Sequence, residues 1–477
     1  MLTLTRRRVL LAYGRWTRPW VHNRENAAHA MMRHSIIDDR MRLMPVPIER
    51  PVTLPAGTGR MRSGTDICDE DVATGSAPQA GPARLQAELV TVELAQQLKP
   101  IPNTEGLAFG SVFSDHMLEV EWTKEGGWGM ARIVPFHNIE MHPAAHALHY
   151  AVEIFEGMKA YSDDKRSGGR KNNQFASRLF RPIDNMIRMN LSASRMLLPT
   201  FDPAAMTDLI ERFVEVEKRW VPRKYGHSLY LRPTLVSTHG QSLALGQTEK
   251  ALFYCIATPV GPYFPDGFRP VKLLASTEYT RAHHGGTGAA KCGGNYGGTI
   301  KADVEARQQG CAAVLWLLGD DEQVTEAGTM NFFVLWRPYK GAALELVTPP
   351  LDGTILPGIT RDTVMQLAER LLPTGVKVVE RQFTVHDLID AVDEGRLEEA
   401  FGTGTACIVC PIDGIRYEGR DVAIPTGLPV VAGGDQTCSS SKGAGPFTSV
   451  MMETILAIQH GRTEAPQKLG NWSVPVM

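Results

Sequence analysis

One lysine in a glycine-rich segment is the residue of this chain best suited to covalent chemistry. Lys291 lies within Arg281–Tyr296 (Arg-Ala-His-His-Gly-Gly-Thr-Gly-Ala-Ala-Lys-Cys-Gly-Gly-Asn-Tyr), and glycines on both sides leave room for a cofactor. A lysine amine that can lose its charge forms a Schiff base with an aldehyde, as in pyridoxal phosphate (PLP) enzymes. Glu326, within Thr325–Asn331, supplies a carboxylate that keeps a pyridine nitrogen protonated. The pair predicts a PLP enzyme.

A nucleotide-binding loop is the alternative interpretation of the same lysine segment. A phosphate-binding loop requires Gly directly before its lysine and Ser or Thr directly after it. Here Ala290 and Cys292 occupy those positions, so this alternative is excluded.

A PLP enzyme must also bind a phosphate group, and three parts of the sequence are suited to it. The segment Leu356–Arg361 leads into a helical pattern, where the N–H groups of Ile359 and Thr360 would face an anion at the helix N-terminus. Gly402–Ala406 offers two threonine hydroxyls and flexible backbone. Arg188 adds a guanidinium that binds phosphate oxygens in pairs.

The composition is that of a soluble globular protein with two or three domains. The chain has 477 residues, of which 43% are hydrophobic and 21% charged, with a net charge of −2. This charge gives no reason to expect a nucleic acid as partner. We also expect no membrane association, since no apolar run approaches the roughly 18–20 residues that a membrane span requires.

The seven cysteines are too scattered for a disulfide framework and indicate a reducing compartment. Cys407 and Cys410 have the spacing of a redox or metal-binding pair. A zinc site needs a second pair of ligands, and none is evident, so no metal is expected. A reversible dithiol and two inert buried thiols both remain open.

The N-terminal residues 1–24 contain six arginines and no acidic residue, with apolar residues between them. This pattern predicts a mitochondrial transit peptide, and a disordered basic tail is the alternative. Cytoplasmic localisation is therefore the second possibility. Residues 25–85 are rich in Pro, Gly, Arg, Ser and Thr, and we expect them to be a poorly ordered extension.

Helical and strand patterns alternate from about residue 86 onward, which predicts a mixed α/β protein (α/β or α+β). Asp202-Pro203 is typical of a helix start, and Thr384 begins a second helix in the manner of a capping box. Pro446–Gln459 predicts a final helix. Strands are predicted at 251–260, 313–318 and 331–336, with Glu326 in the turn between the last two.

The turn-rich residues 261–267 are the best candidate for a domain boundary. We therefore predict a small domain over 86–260 and a large domain over 261–477. Residues 162–177 and 431–445 read as polar surface insertions.

From about residue 86 to the C-terminus the chain resembles the branched-chain amino acid aminotransferases of the fold type IV PLP group. The resemblance rests on many ordered motifs: Phe109–Asp115, His149-Tyr150, Phe155–Tyr161, Leu179–Pro182, Ser228–Pro233, Pro259–Phe264, Lys291–Tyr296, Thr325–Asn331, Leu356–Arg361 and Gly402–Cys407. It implies two domains with PLP at their interface, and a homodimer.

The resemblance also implies roles for individual residues. Lys291 would form the Schiff base with PLP and act as general base, Glu326 would pair with the pyridine nitrogen, and Tyr296 would bind the ring oxygen. The phosphate would be bound by Arg188, Ile359, Thr360 and Thr405. The substrate carboxylate would meet Thr405 and Ala406, and aromatic walls would come from Tyr150, Phe155, Tyr230 and Tyr263. Core packing is the alternative fate for these aromatic residues.

The expected reaction transfers the amino group of leucine, isoleucine or valine to 2-oxoglutarate, giving branched-chain 2-oxo acids and glutamate with ping-pong kinetics. Arg232 is the candidate for binding the second carboxylate of glutamate, and a structural ion pair is its alternative. Cys407 and Cys410 match the redox pair of animal members of this family. D-amino acid aminotransferase, aminodeoxychorismate lyase and a non-catalytic binding relative are the alternative functions.

Overall fold

The computed structural model describes residues 83–163, 176–262, 268–372, 375–426, 443–465 and 472–476. The chain divides into two units, 1–71 and 72–477, and all described residues belong to the second unit. The predicted transit peptide (1–24) and nearly all of the predicted extension lie outside the described residues. So do Tyr263 and most of the two predicted insertions, at 164–175 and 427–442.

The first of two sheets in the described chain is antiparallel except at one edge, where β1 pairs in parallel with β4. Its nine strands from the first part of the chain are β1 Thr91–Val92, β2 His116–Thr123, β3 Gly127–Trp128, β4 Arg132–Pro135, β5 Glu153–Phe155, β6 Met158–Ser162, β7 Ser177–Phe180, β8 Ser228–Ser237 and β9 Lys250–Val260. The sheet follows the order β1-β4-β2-β9-β8-β6-β7, with β3 on β2 and β5 on β8. The final strand of the described chain, Ser473–Val476, pairs with β7 and completes this sheet.

The second sheet is mixed and closes on itself. Its strands are β10 Val271–Ser276, β11 Ala313–Leu318, β12 Gln323–Ala327, β13 Met330–Trp336, β14 Glu345–Thr348, β15 Lys377–Glu380, β16 Leu397–Gly404, β17 Ile408–Tyr417 and β18 Arg420–Ala423. The order is β12-β11-β10-β17-β16-β13-β14-β15, and β12 also pairs with β13. Six strands therefore form a ring without a free edge, which gives a rigid support for residues at its rim. The final strand, Ser473–Val476, is named β19.

Eight α-helices of the described chain pack against these sheets. They are α1 His146–Tyr150, α2 Pro182–Arg195, α3 Pro203–Val216, α4 Gly294–Gly297, α5 Ile300–Gln308, α6 Ile359–Leu371, α7 Val385–Asp393 and α8 Pro446–Gln459. Short 3₁₀ helices cover Ala87–Leu89 and Lys218–Trp220.

The three largest of four buried apolar clusters in the described chain hold these layers together. One lies between the first sheet and helices α2 and α3, and a second lies between the second sheet and helix α7. The third joins β6 and β7 of the first sheet to β13, β16, α6 and α8, through residues such as Phe180, Phe333, Phe401 and Phe447. Burial of apolar surface in this third cluster therefore connects the two sheets directly.

The local sequence signals are confirmed where the chain is described. Asp202 caps α3 by accepting a hydrogen bond from the Ala204 N–H, and Thr384 with Asp387 forms the capping box of α7. Helix α8 spans Pro446–Gln459 as predicted. One detail was wrong: Glu326 belongs to strand β12 and not to the turn that follows it, because β12 continues to Ala327. The mixed α/β class is confirmed, while the domain boundary near 260 stays a prediction.

Candidate active site

The backbone of Lys291 is fixed between the first sheet and helix α2. Its carbonyl accepts a hydrogen bond from the Phe155 N–H at 3.0 Å, and its own N–H donates to Ser192 Oγ at 2.9 Å. The ammonium donates to Tyr296 Oη at 3.2 Å and lies 4.8 Å from the centre of the Phe155 ring. It makes no ion pair with a described carboxylate. The amine is thus held in place by neutral groups, as a nucleophilic lysine requires.

Close packing explains two glycines next to the site. A side chain at Gly288 would place its Cβ 2.5 Å from the carbonyl oxygen of Thr354. A side chain at Gly358 would place its Cβ 2.0 Å from Asn331 Oδ1. Both distances are far below van der Waals contact, so these positions need glycine to let neighbouring segments approach the site.

Glu326 is buried and held from three directions. Its Oε1 accepts hydrogen bonds from the Leu356 N–H at 3.0 Å and from Asn331 Nδ2 at 3.1 Å. Its Oε2 lies 2.7 Å from Nε of Arg281. Burial raises the pKa of Glu326, and the Arg281 guanidinium opposes this shift because it stabilises the charged carboxylate. The result is an oriented carboxylate that can bind a protonated ring nitrogen.

Arg188 is held in a bidentate pair with a buried carboxylate. Its Nε and Nη2 donate to the two carboxylate oxygens of Glu156 at 2.8 and 2.7 Å. Its Nη1 donates to the carbonyl of Pro357 at 3.1 Å. The guanidinium is therefore fixed beside the segment that leads into helix α6.

The N-terminus of α6 completes an anion-binding wall. Gly358 is the cap residue, and no side chain caps the first N–H groups of this helix. Ile359 and Thr360 are its first two residues, so their N–H groups are suited to an anion. The hydroxyl of Thr403, on β16, is buried and has no hydrogen-bond partner in the described chain. An unpartnered donor beside uncapped N–H groups and Arg188 fits a phosphate group.

Lys291, Glu326, Arg188 and the start of α6 surround a cavity of about 40 Å³. All seven predicted cofactor residues are among its lining: Arg188, Lys291, Tyr296, Glu326, Ile359, Thr360 and Thr405. An adjoining cavity of about 440 Å³ shares Lys291, Tyr296 and Thr405 with it. The larger volume is within the range of small-molecule binding sites. The two cavities thus meet at the predicted reactive amine.

The larger cavity contains most of the predicted substrate residues. Phe155, Tyr230, Arg232, Thr405 and Ala406 line it. Phe109, which belongs to one of the motifs but had no assigned role, also lines it and contacts the Tyr230 ring edge-on at 4.9 Å.

Tyr150 is not part of this cavity. It is 41% exposed at the end of α1, and its hydroxyl donates to the carbonyl of Leu243 at 2.5 Å. Tyr263 lies outside the described residues. The roles predicted for these two tyrosines stay predictions.

Cys407 and Cys410 are both buried thiols on the wall of the larger cavity. Burial raises the pKa of Cys407 to about 12 and also raises the pKa of Cys410. The sulfur of Cys407 lies 3.3 Å from that of Met330. Both thiols are therefore protonated at neutral pH, which slows their oxidation.

Sequence reasoning did not assign three residues that orient this site: Glu156, Arg281 and Asn331. Each lies inside one of the sequence motifs given above. The sequence shows that these residues are present, but it does not show which groups they pair with. Among the described residues, no group of His, Cys, Asp and Glu side chains is placed to bind a metal ion. None of the described helices is long and apolar enough to span a membrane.

Residues 153–415 match the family described as amino-transferase class IV, and the chain belongs to this family. The matched range begins at β5 and ends within β17, so it contains all the residues that line the smaller cavity and all but Phe109 of those that line the larger one.

Within this class the chain groups with the branched-chain-amino-acid aminotransferases. It is 49% identical over 329 residues to the mitochondrial enzyme of that name from Bos taurus, covering 69% of this chain and 80% of the relative. It is 43% identical over 394 residues to the cytosolic enzyme from Ovis aries, covering 82% and 94%. The crystal structure of a branched-chain aminotransferase from Thermoproteus uzoniensis with norvaline has a TM-score of 0.55, at 26% identity over 75% of this chain and 99% of that one.

Proposed function

We propose that this enzyme uses PLP bound at Lys291 to transfer the amino group of L-leucine, L-isoleucine and L-valine to 2-oxoglutarate. The observation that carries the proposal is the meeting of two cavities at one lysine. One cavity presents a fixed carboxylate and an anion-binding wall, and the other is lined by aromatic side chains. The expected products are branched-chain 2-oxo acids and L-glutamate.

The donor set of the smaller cavity fits PLP. Glu326 would bind the pyridine nitrogen, Tyr296 the ring oxygen, and Arg188 with the start of α6 and Thr405 the phosphate. The bound cofactor would supply an electron sink for the bond that breaks at the substrate Cα. Lys291 lines both cavities, so its amine would hold the cofactor and would also serve as the base that moves the proton.

The larger cavity suits a branched aliphatic side chain. Phe109, Phe155, Tyr230 and Met330 give it apolar surface, and burying a leucine-sized side chain contributes about 2 kcal/mol. Transfer to 2-oxoglutarate requires the same cavity to accept a second carboxylate. Since the amino donor and the amino acceptor share this site in turn, ping-pong kinetics are expected.

Arg232 is the best candidate for binding the second carboxylate of glutamate. Its guanidinium lies 4.8 Å from the centre of the Phe155 ring and donates to Tyr230 Oη at 3.2 Å. Its Nε is buried without a hydrogen-bond partner, and it has no ion pair with a described acidic residue. These contacts favour a ligand role over the structural ion pair that the sequence left open.

The alternatives within the same fold share the lysine and the glutamate. D-amino acid aminotransferase and aminodeoxychorismate lyase are disfavoured by the family grouping. A non-catalytic relative is disfavoured because Lys291, Tyr296, Glu326 and Arg188 all line one cavity. We further propose a homodimer in the mitochondrion. The named relatives include a mitochondrial and a cytosolic form, so a cytoplasmic enzyme is the alternative location.

Two measurements on the purified holoenzyme test this function. The first compares the rates of amino transfer from L-leucine, D-alanine and aminodeoxychorismate, and L-leucine should be strongly preferred. The second reduces the enzyme with borohydride and locates the PLP adduct by mass mapping, which should find Lys291. The variant Lys291→Ala should remain folded and lose activity by about 10⁴-fold or more. An adduct on another lysine, or no transfer from L-leucine, would refute the proposal.

A further inference from the structure

Lys159 is a buried lysine that the proposed reaction has not used. It lies on β6, only 6% exposed, and it pairs across the sheet with Tyr230 of the larger cavity. Its ammonium donates a hydrogen bond to the carbonyl oxygen of Ala406 at 2.8 Å. Residues 405–407 form the turn between β16 and β17. Lys159 therefore connects the first sheet to this turn of the second sheet.

The charge of Lys159 has no counterion in the described chain. No ion pair joins it to a described carboxylate, and Glu156, three residues earlier, is already bound to Arg188. A small cavity beside it is lined by Tyr161, Asn185 and Gln459, and the tyrosine hydroxyl and the two amide oxygens have no hydrogen-bond partner among the described residues. Burying a cation without a counterion is costly. Such a charge is retained where a bound anion supplies the missing counterion.

We propose that Lys159 is a positioning residue for the substrate α-carboxylate, acting through the turn Thr405–Ala406. The hydrogen bond to Ala406 fixes the orientation of this turn, and the ammonium places a positive charge behind it. This inference rests on the proposed function, in which the N–H groups of the turn receive the carboxylate.

The geometry favours the carboxylate of the substrate over the phosphate of the cofactor as the partner of this charge. The ammonium bonds to Ala406, which lines the larger cavity and is absent from the lining of the smaller one. Ile359 and Thr360, at the start of α6, line the small cavity beside Lys159 as well, so it is the hydrogen bond to Ala406 that points to the carboxylate and not to the phosphate. Loss of the Lys159 charge should therefore weaken binding of carboxylate ligands and leave cofactor binding intact.

The pH dependence of this effect has a defined sign. Burial lowers the pKa of the Lys159 ammonium to about 8, with the Cys407 thiol opposing the shift. Tyr161 follows two residues later on β6, and Tyr230 lies opposite Lys159 on β8. Burial raises the pKa of both Tyr161 and Cys407, so these two stay neutral. The ammonium is present below pH 8 and is lost above it. Carboxylate affinity should fall as the pH rises through this value.

The test compares two inhibitors of the holoenzyme with the same carbon skeleton, 4-methylpentanoate, which carries a carboxylate, and 4-methylpentanamide, which carries a neutral amide. In Lys159→Met, the inhibition constant of the acid should rise about tenfold at pH 7, as expected for loss of an interaction with a charged group. The amide should change by less than about twofold. Lys159→Arg keeps a charge at all pH values and should restore acid binding without the decline above pH 8. The exposed Lys377→Met is the matched control and should change neither constant.

Three results would overturn the inference. Equal weakening of acid and amide would indicate a merely structural role for Lys159, and loss of PLP from Lys159→Met would assign the charge to the cofactor. In the unaltered enzyme, a ratio of acid to amide affinity that stays constant from pH 7 to 9 would refute the role even if Lys159→Met does not fold. An unaltered enzyme that fails to transaminate L-leucine would instead refute the proposed function, so the two failures are distinguishable.

Discussion

The two cavities that meet at Lys291 treat buried charge in opposite ways. In the smaller cavity each arginine is paired, Arg188 with Glu156 and Arg281 with Glu326. The larger cavity has Arg232 in its wall, and Lys159 lies behind the turn of residues 405–407 that lines it. Neither side chain forms an ion pair with a described carboxylate. In the smaller cavity the arginine charges are neutralised by carboxylates of the protein. In the larger cavity these two positive charges have no carboxylate partner in the described chain.

This difference matches what each side has to bind. A cofactor stays in place over many turnovers, so its site gains from charges that are fixed in advance by partners. Substrates must enter and leave, and those of an aminotransferase carry one or two carboxylates. Unpaired cations on that side can bind such anions, and water can take the place of the anion when the product leaves. Breaking a pair should therefore cost stability, while removing an unpaired cation should cost selectivity.

The largest expected effect follows from breaking a pair in the smaller cavity. Glu156→Gln would leave the Arg188 guanidinium buried without a counterion, which should lower the free energy of unfolding by about 3–5 kcal/mol. Urea denaturation of the enzyme, with and without added PLP, measures this change. The exposed Glu125→Gln is the control and should remain within about 0.5 kcal/mol of the unaltered protein. Equal stability of the two variants would contradict the pairing argument.

A smaller and selective effect is expected in the larger cavity. Arg232→Met should raise the KM for L-glutamate about 10- to 100-fold, because the second carboxylate loses a charge-assisted hydrogen bond. The KM for L-leucine should change by less than about threefold, and stability should be nearly unchanged. Arg370→Met, on the exposed side of α6, serves as the control. If the KM values for both substrates rise together, Arg232 shapes the cavity and does not select the dicarboxylate.

The smallest effect concerns the two thiols on the wall of the larger cavity. Peroxide should lower activity slowly, because burial keeps both sulfurs protonated at neutral pH and a protonated thiol reacts slowly. A thiol reductant should then restore the activity. Cys410→Ser should remove the reversible part of this inactivation, and Cys311→Ser should not. An oxidised enzyme with an unchanged rate would leave Cys407 and Cys410 as ordinary buried residues.

Local sequence signals were sufficient for much of the fold and for the composition of the site. The cap at Asp202, the capping box at Thr384 and the apolar strands 313–318 and 331–336 depend on neighbouring residues, so they are visible in the sequence. The seven residues predicted to bind the cofactor lie together around one cavity, and their roles stay predictions.

The pairing of charges was not predictable, because it depends on residues that are distant in the chain. Lys159 and Ala406 are separated by 247 positions and come together only when the two sheets pack. Glu156, between β5 and β6, and Arg188, on α2, are 32 positions apart and meet in the same way. A sequence shows that a charged residue is present, but burial and partner are set by tertiary packing. For this reason the sequence alone does not distinguish a ligand-binding role of Arg232 from a structural ion pair.

Strand β19 has a consequence for the order in which the molecule is assembled. Residues 473–476 cover β7, a strand made some three hundred residues earlier in synthesis. Until they emerge from the ribosome, β7 presents unpaired backbone groups that can recruit another extended chain. We therefore expect the first sheet to mature only once β19 has been made, and a nascent chain stalled before this strand to be prone to aggregation.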